Sequence, residues 1–206
     1  MGQRRGRAGR LRIIGGTFGG RFISAPPGRM ARPTLAQTRE AVFNVLGDRI
    51  EGATCADLFA GSGAYGLEAL SRGASRVEAF ERNRVAYDTI RANVQALVGP
   101  GVAERFGLRG GALPKSLERA QWAPYDLVFM DAPWGQRLEM ALCEVLVEPA
   151  GRWLADDAWI VVEQSQNDPQ GDWDSLGLRV LRERAYGEAR VTMLCRNSAC
   201  SSAQNG

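Results

Sequence analysis

The sequence predicts an open α/β sheet, mostly parallel, with helices on both faces. Three observations predict it. From residue 54 onward, apolar runs of strand length alternate with amphipathic segments of helix length. A glycine loop lies between the first such strand and the first such helix, where doubly wound sheets carry one. The last two apolar runs are separated only by a turn, which gives the sheet an antiparallel edge. The 206 residues, 45% hydrophobic and 24% charged, suit one globular domain with extensions.

The elements follow in order. Residues 1–10 have no apolar periodicity and read as a basic disordered tail. Residues 11–14 and 21–24 form a hairpin around a glycine-rich turn, and Pro26-Pro27-Gly28 ends it. A helix is expected over 35–47, with Ala41, Val42, Val45 and Leu46 on one side and Gly47 as its stop. The extension thus spans 11–50 and the main domain 51–196. In that domain strands are expected at 55–60, 76–80, 102–108, 126–130 and 159–163. Helices are expected at 64–72, 84–97, 113–120 and 137–147. A final hairpin pairs 179–184 with 190–195 around Tyr186-Gly187. Residues 197–206, small and polar, read as a flexible tail.

Gly61, Gly63 and Gly66 satisfy G-x-G-x-x-G after a strand and before a helix, a spacing that brings a ligand close to the backbone. Glu81 ends the next strand, twenty residues after Gly61, where an acid accepts both hydroxyls of a ribose. Together they point to a nucleoside cofactor. Asp57 refines the choice. A carboxylate is awkward beside a pyrophosphate but suits an ammonium group, which favours S-adenosylmethionine over a nicotinamide dinucleotide. Asp57 could equally cap a backbone turn.

A second motif, Asp131-Ala132-Pro133-Trp134, follows the apolar strand at 126–130. Carboxyl ends of parallel strands line the ligand crevice, so Asp131 faces the crevice of Asp57 and Glu81. Its carboxylate and the Ala132 carbonyl can accept both protons of an exocyclic amine. Pro133 fixes the backbone after those acceptors, and Trp134 offers a face for a stacked base. The alternative is a capping aspartate with a core tryptophan.

Composition narrows the chemistry. The chain has no histidine, which excludes Ser-His-Asp and Cys-His catalysis and the common zinc sites, and no metal is expected. Cys55, Cys143, Cys195 and Cys200 show no Cys-x-x-Cys spacing and read as scattered thiols of a reducing cytosol. No run approaches a membrane span, so a cytoplasmic location is expected. Residues 1–50 hold ten arginines against Glu40 and Asp48, a balance of +8; the whole chain carries +3, so residues 51–206 carry −5. Lys115 is the single lysine. Arginine suits bidentate phosphate contact, so the start reads as a nucleic-acid arm, with a solubilising tail or transit peptide as alternatives.

Several segments carry a more particular likeness. Leu11-Arg-Ile-Ile-Gly-Gly16, Arg32-Pro33-Thr34, Arg39-Glu40 with Phe43-Asn44, Asp57 to Gly66 with Leu67-Glu-Ala-Leu-Ser-Arg-Gly73, and Gly151-Arg-Trp-Leu-Ala155 resemble the bacterial 16S rRNA guanine-N2 methyltransferase family over about residues 11–195. The resemblance implies a Rossmann-like class I methyltransferase fold with a seven-stranded, mostly parallel sheet and an N-terminal hairpin extension. It also implies S-adenosylmethionine as donor and 16S rRNA, or a small-subunit assembly intermediate, as partner of a monomer. The cofactor set it implies adds Phe59, Ser62, Arg82, Gly111, Ala112, Thr34 and Arg39. Arg12, Arg21, Arg29 and Arg32 are expected to grip RNA phosphates. The chain departs from the family pattern at Ala132 with Trp134, at Ala36-Gln37, and at Gly111. Rival readings are a nicotinamide oxidoreductase, an amine methyltransferase of DNA adenine or another RNA, and a non-catalytic RNA-binding assembly factor.

Overall fold

The computed structural model describes residues 9–27, 33–97, 99, 101 and 104–198, without the side chains of 33–35. A two-stranded antiparallel hairpin, β1 (Arg10–Arg12) and β2 (Phe22–Ser24), precedes helix α1 (Pro33–Leu46). The main sheet then follows: β3 (Thr54–Leu58), α2 (Ala64–Ser71), β4 (Arg76–Glu81), α3 (Arg84–Leu97), β5 (Phe106–Gly110), β6 (Tyr125–Asp131), α4 (Leu138–Val147), β7 (Leu154–Ser165), β8 (Leu178–Tyr186) and β9 (Ala189–Arg196).

The strand order is β5-β4-β3-β6-β7-β9-β8, seven strands with β9 antiparallel to both neighbours and the others parallel. The chain runs outward one way from β3 and then returns to build the other half from β6. The β3–β6 boundary is therefore the topological switch point, and its carboxyl end is where a ligand crevice opens.

The inner strands β3, β4, β6 and β7 bury residues on both sides, so the sheet has two cores, while the edge strand β8 alternates with exposed residues. Leu127, Phe129 and Val161 pack with Phe43 of α1, Leu67 of α2 and Ile90 of α3. Val128, Met130, Ile160 and Val162 pack with Leu142 and Leu146 of α4 on the opposite face. Alternate residues of one strand feed opposite cores, as the pleat requires.

The sequence expectations meet several corrections. The helix at 113–120 is a single 3-10 turn at Lys115–Arg119, because Pro114 before it and Pro124 after it leave no room for a second turn. Gly47, with φ of 50°, stops α1 as expected, and a 3-10 turn follows from it to Ile50. β7 is twelve residues long, since Leu154 already pairs with Tyr125. Cys55 and Cys143 are free and buried, whereas Cys195 is disulfide-bonded, not a thiol.

Candidate active site

The glycine loop turns the chain sharply out of β3. Phe59, Gly61 and Gly63 have φ of 63°, 59° and 77°, the left-handed region. Phe59 adopts it with a side chain, a strain that concentrates at ligand sites. Gly66 is required for a different reason. A Cβ there would stand 2.7 Å from Val77 Cγ1. α2 can sit this close to β4 only without a side chain at that position. Asp57 is buried, and its Oδ2 accepts from the Gly66 N–H at 2.9 Å. Part of its carboxylate therefore steadies the first turn of α2.

Glu81 ends β4 as expected and joins loop to helix. One oxygen accepts from Gly61 N–H at 2.9 Å, the other from Asn83 N–H at 2.6 Å. Asn83 Oδ1 in turn accepts from Val85 and Ala86 N–H at 2.9 and 3.1 Å, the N-cap of α3. Above them lies a cavity of about 620 Å³, lined by Pro26, Pro27, Phe59, Gly61, Phe80, Glu81, Arg82, Asn83, Val85, Ala86, Gly111, Leu113 and Pro133. Six residues expected from the sequence thus share one wall: Phe59, Gly61, Glu81, Arg82, Gly111 and Pro133. Gly111 has φ of 126°, which excludes a side chain. Ser62, Gly63 and Gly66 are buried within the loop and helix, outside that wall, and Ala112 adjoins Gly111 on the surface.

Sequence reasoning missed Pro26, Pro27, Phe80, Asn83, Val85, Ala86 and Leu113 in that wall. Asn83 and Val85 carried a signal: an asparagine before a helix, and a large apolar side chain on its first turn that remains 55% exposed. Pro26 and Pro27 carried none, since their place depends on how the hairpin docks.

Asp131 ends β6 and is the register partner of Glu163 on β7. Ala132 is buried, and Trp134 is half-buried in the turn that follows Pro133. Tyr65, on the first turn of α2, donates its O–H to Glu163 Oε2 at 2.8 Å. Desolvation pushes the Tyr65 hydroxyl well above the usual phenol range, helped by the charges of Glu163 and Asp131, so it stays a donor.

Arg82 lines the cavity, whereas Arg39, Arg21 and Arg12 are outside its wall. Arg39 is buried; its Nη2 donates to the Arg12 carbonyl at 2.6 Å and its Nε lies 3.8 Å from Glu68 Oε2. Burial pulls its guanidinium below the usual arginine range, with Glu68 acting in the opposite direction. Arg21 donates to the Leu97 and Ala96 carbonyls at 2.6 and 2.9 Å, closing the end of α3. Arg12 is exposed on the hairpin. Arg29 and Arg32 lie outside the described residues, as does the Thr34 side chain. Among the described residues no three His, Cys, Asp or Glu are placed to hold a metal ion, and no helix is long and apolar enough to cross a membrane.

Glu68 explains the Arg-Ile-Ile-Gly-Gly segment. It accepts from Ile14 N–H at 2.7 Å, Gly15 N–H at 2.8 Å and Arg72 Nε at 2.8 Å. Gly16, with φ of 72°, lies so close to α2 that a Cβ would overlap the Ser71 carbonyl. The hairpin is thereby fastened over the glycine-loop helix. The family described as conserved hypothetical protein 95 matches residues 11–195, the whole span from this hairpin to the end of β9. The chain belongs to this family. Ribosomal RNA small subunit methyltransferase D of Escherichia coli K12 is 36% identical over 156 residues, covering 76% of the chain and 75% of the relative. The protein of the same name from Haemophilus influenzae is 33% identical over 162 residues, 78% and 82% of the two chains. Among solved structures, the E. coli protein yhhF, provisionally described as a methyltransferase, superposes with a TM-score of 0.75 at 32% identity over 91% of this chain and 98% of its own. The seven-stranded sheet and the hairpin of this chain are those of a family member.

Proposed function

We propose that the protein is an S-adenosylmethionine-dependent methyltransferase that acts on the exocyclic N2 of a guanine in 16S rRNA, free or in an assembling small subunit of the cytoplasm. One observation carries the reading. Pro133, which directly follows the two amine acceptors Asp131 and Ala132, is in the wall of the same cavity as Glu81 and the glycine loop. Pro133 thus joins the acceptor motif to the cavity at the switch point, with Asp131 and Ala132 next to it in the chain and outside the cavity wall. Its residues fit the cofactor: a carboxylate for the ribose, backbone without Cβ at Gly61 and Gly111, and apolar walls from Phe80, Val85 and Leu113.

Bound there, S-adenosylmethionine supplies a methyl carbon made electrophilic by its sulfonium. The chain supplies alignment. Asp131 and the Ala132 carbonyl hold the two amine protons and turn the nitrogen lone pair toward the cavity. Trp134 offers its ring to the base, a contact of about 1–3 kcal/mol. The base must leave its stack to reach this depth. Incubation with tritiated S-adenosylmethionine and unmethylated small subunits tests the reading. Label on N2 of one guanine of 16S RNA is the expected result. Label on another amine, or none with the cofactor bound, would contradict it.

A further inference from the structure

Asp131, the last residue of β6, and Glu163, two residues before the end of β7, are register partners on neighbouring parallel strands, so their Cα atoms are separated by about the 4.8 Å strand spacing. Both point to the same face. Phe129 and Val161, two residues earlier on each strand, belong to the core beneath α1 and α2. Two carboxylates so placed repel, and each favours the protonated form of the other unless a donor or cation offsets one of them. Glu163 is buried at 2% exposure and is not itself at the cavity. Its Oε2 takes the Tyr65 O–H at 2.8 Å. The Tyr65 ring is stacked on Phe129, with centroids 5.2 Å apart and planes 22° apart, and Phe43 completes a cluster of three rings at 6.1 Å from Tyr65 and 5.4 Å from Phe129. The other charges facing this side include Asp57 of β3, the register partner of Phe129, whose Oδ2 accepts from Gly66 N–H, Glu81 of β4, and Arg182 and Arg184 of β8. They also include Arg39 of α1, which attracts Glu163, and Glu68 and Arg72 of α2, which face Arg39. β9 places the uncharged Val191 opposite Glu163.

We infer that Tyr65 and Glu163 are a positioning pair for methyl transfer: the tyrosine O–H, helped by Arg39, holds the Glu163 carboxylate toward α2, and Asp131 one strand away stays charged and turned to the substrate amine. The inference rests on the reading of Asp131 as amine acceptor. It also gives the glycine loop a tie to the acceptor, because Tyr65 stands two residues after Gly63. Neither residue touches substrate.

The test compares wild type, Tyr65→Phe and the double variant Tyr65→Phe/Glu163→Gln, each with a thermal melt to establish folding. Tyr65→Phe keeps the stacked ring and removes one hydroxyl. The Asp131 carboxyl is titrated without RNA by carbon NMR, with Asp131→Asn assigning its signal. Its midpoint rises by about one pH unit in Tyr65→Phe and returns to or below the wild-type value in the double variant, where one carboxylate is gone. In parallel, single-turnover methylation by Tyr65→Phe falls about fivefold at the pH of the wild-type Asp131 midpoint and recovers within about two pH units above it, with cofactor KM within about twofold of wild type. An Asp131 midpoint equal in wild type and Tyr65→Phe overturns the inference, as does a double variant that restores neither midpoint nor rate. If wild type transfers no methyl to ribosomal RNA, the functional reading fails on that result, and the NMR titration still decides the pair.

Discussion

Glu81 accepts two backbone N–H groups and still lines the cavity, so it is at once part of the loop and part of the binding site. Glu81→Ala should weaken S-adenosylmethionine binding by roughly 1.5–3 kcal/mol, because a charged acceptor is lost. Calorimetry giving wild-type affinity would count against the ribose assignment. Gly66→Ala is a purely steric probe. Its methyl meets Val77 at 2.7 Å, and overpacking of this kind costs about 1–3 kcal/mol in a chemical melt. Such residues were legible in the sequence because their work follows from local spacing: a strand end, a turn, a helix start. Arg39 was not. Its counter-charge is Glu68, twenty-nine positions on, and a pairing between two helices leaves no local pattern. A cofactor role implied by family likeness therefore meets a side chain buried against α2. Asp57 stood between ammonium contact and backbone cap, and the Gly66 bond shows that the cap exists.

Among the elements, the hairpin is the one whose placement the sequence did not show. Its two strands were readable from alternation and glycines, but its docking rests on Glu68, Ser71 and Asn93, all from other elements. Asn93 of α3 accepts from Ser24 N–H at 2.8 Å and donates to the Ser24 and Ser62 carbonyls at 2.9 Å, tying β2 to the glycine loop. Glu68→Gln removes the charge opposite two arginines, one of them buried. It should destabilise by about 3–5 kcal/mol and speed amide exchange at Ile14 and Gly15. A melt within experimental error of wild type would show the hairpin to be held by its apolar contacts alone.

Helix α4 carries a pH signature. Burial, with the charge of Asp168, pushes the Glu139 carboxyl up, while hydrogen bonds from its own backbone and from Gln164 oppose this. A folded-state value above the unfolded one means that the native state binds the proton more tightly. Stability is then highest with Glu139 protonated and falls as pH rises through the folded value. Glu139→Gln should gain in melting temperature relative to wild type as pH increases from about 4 to 7. A gap that is constant with pH would remove Glu139 as the source.

At the scale of the molecule, charge and crevice are the two features that point to nucleic acid. The balance of +8 before residue 51 faces −5 in the remainder. Each phosphate contact adds about 0.9 to the slope of log affinity against log salt for duplexes, and about 0.7 for single strands. Deleting residues 1–10 should flatten that slope and leave cofactor affinity alone; an unchanged slope would make the tail a bystander. Alternation of apolar segments sufficed to read the parallel sheet, because its inner strands feed two cores. The full length of β7 was hidden by its polar start at Ala155-Asp156-Asp157, which lies in the irregularity between the Leu154–Tyr125 and Trp159–Leu127 pairs.

The central claim is that Asp131 holds the amine as it reacts. Its hydrogen bond strengthens as the nitrogen becomes positive, and an interaction stronger in the transition state than in the ground state raises kcat. Asp131→Asn keeps one acceptor oxygen and should retain partial activity. The most direct measurement is single-turnover methylation of 16S RNA by Asp131→Ala beside its calorimetric affinity for S-adenosylmethionine. The expected result is a rate lower by about 10²–10³, roughly 2.7–4 kcal/mol, with cofactor affinity little changed. A wild-type rate from Asp131→Ala would contradict the claim and leave Asp131 a structural strand end.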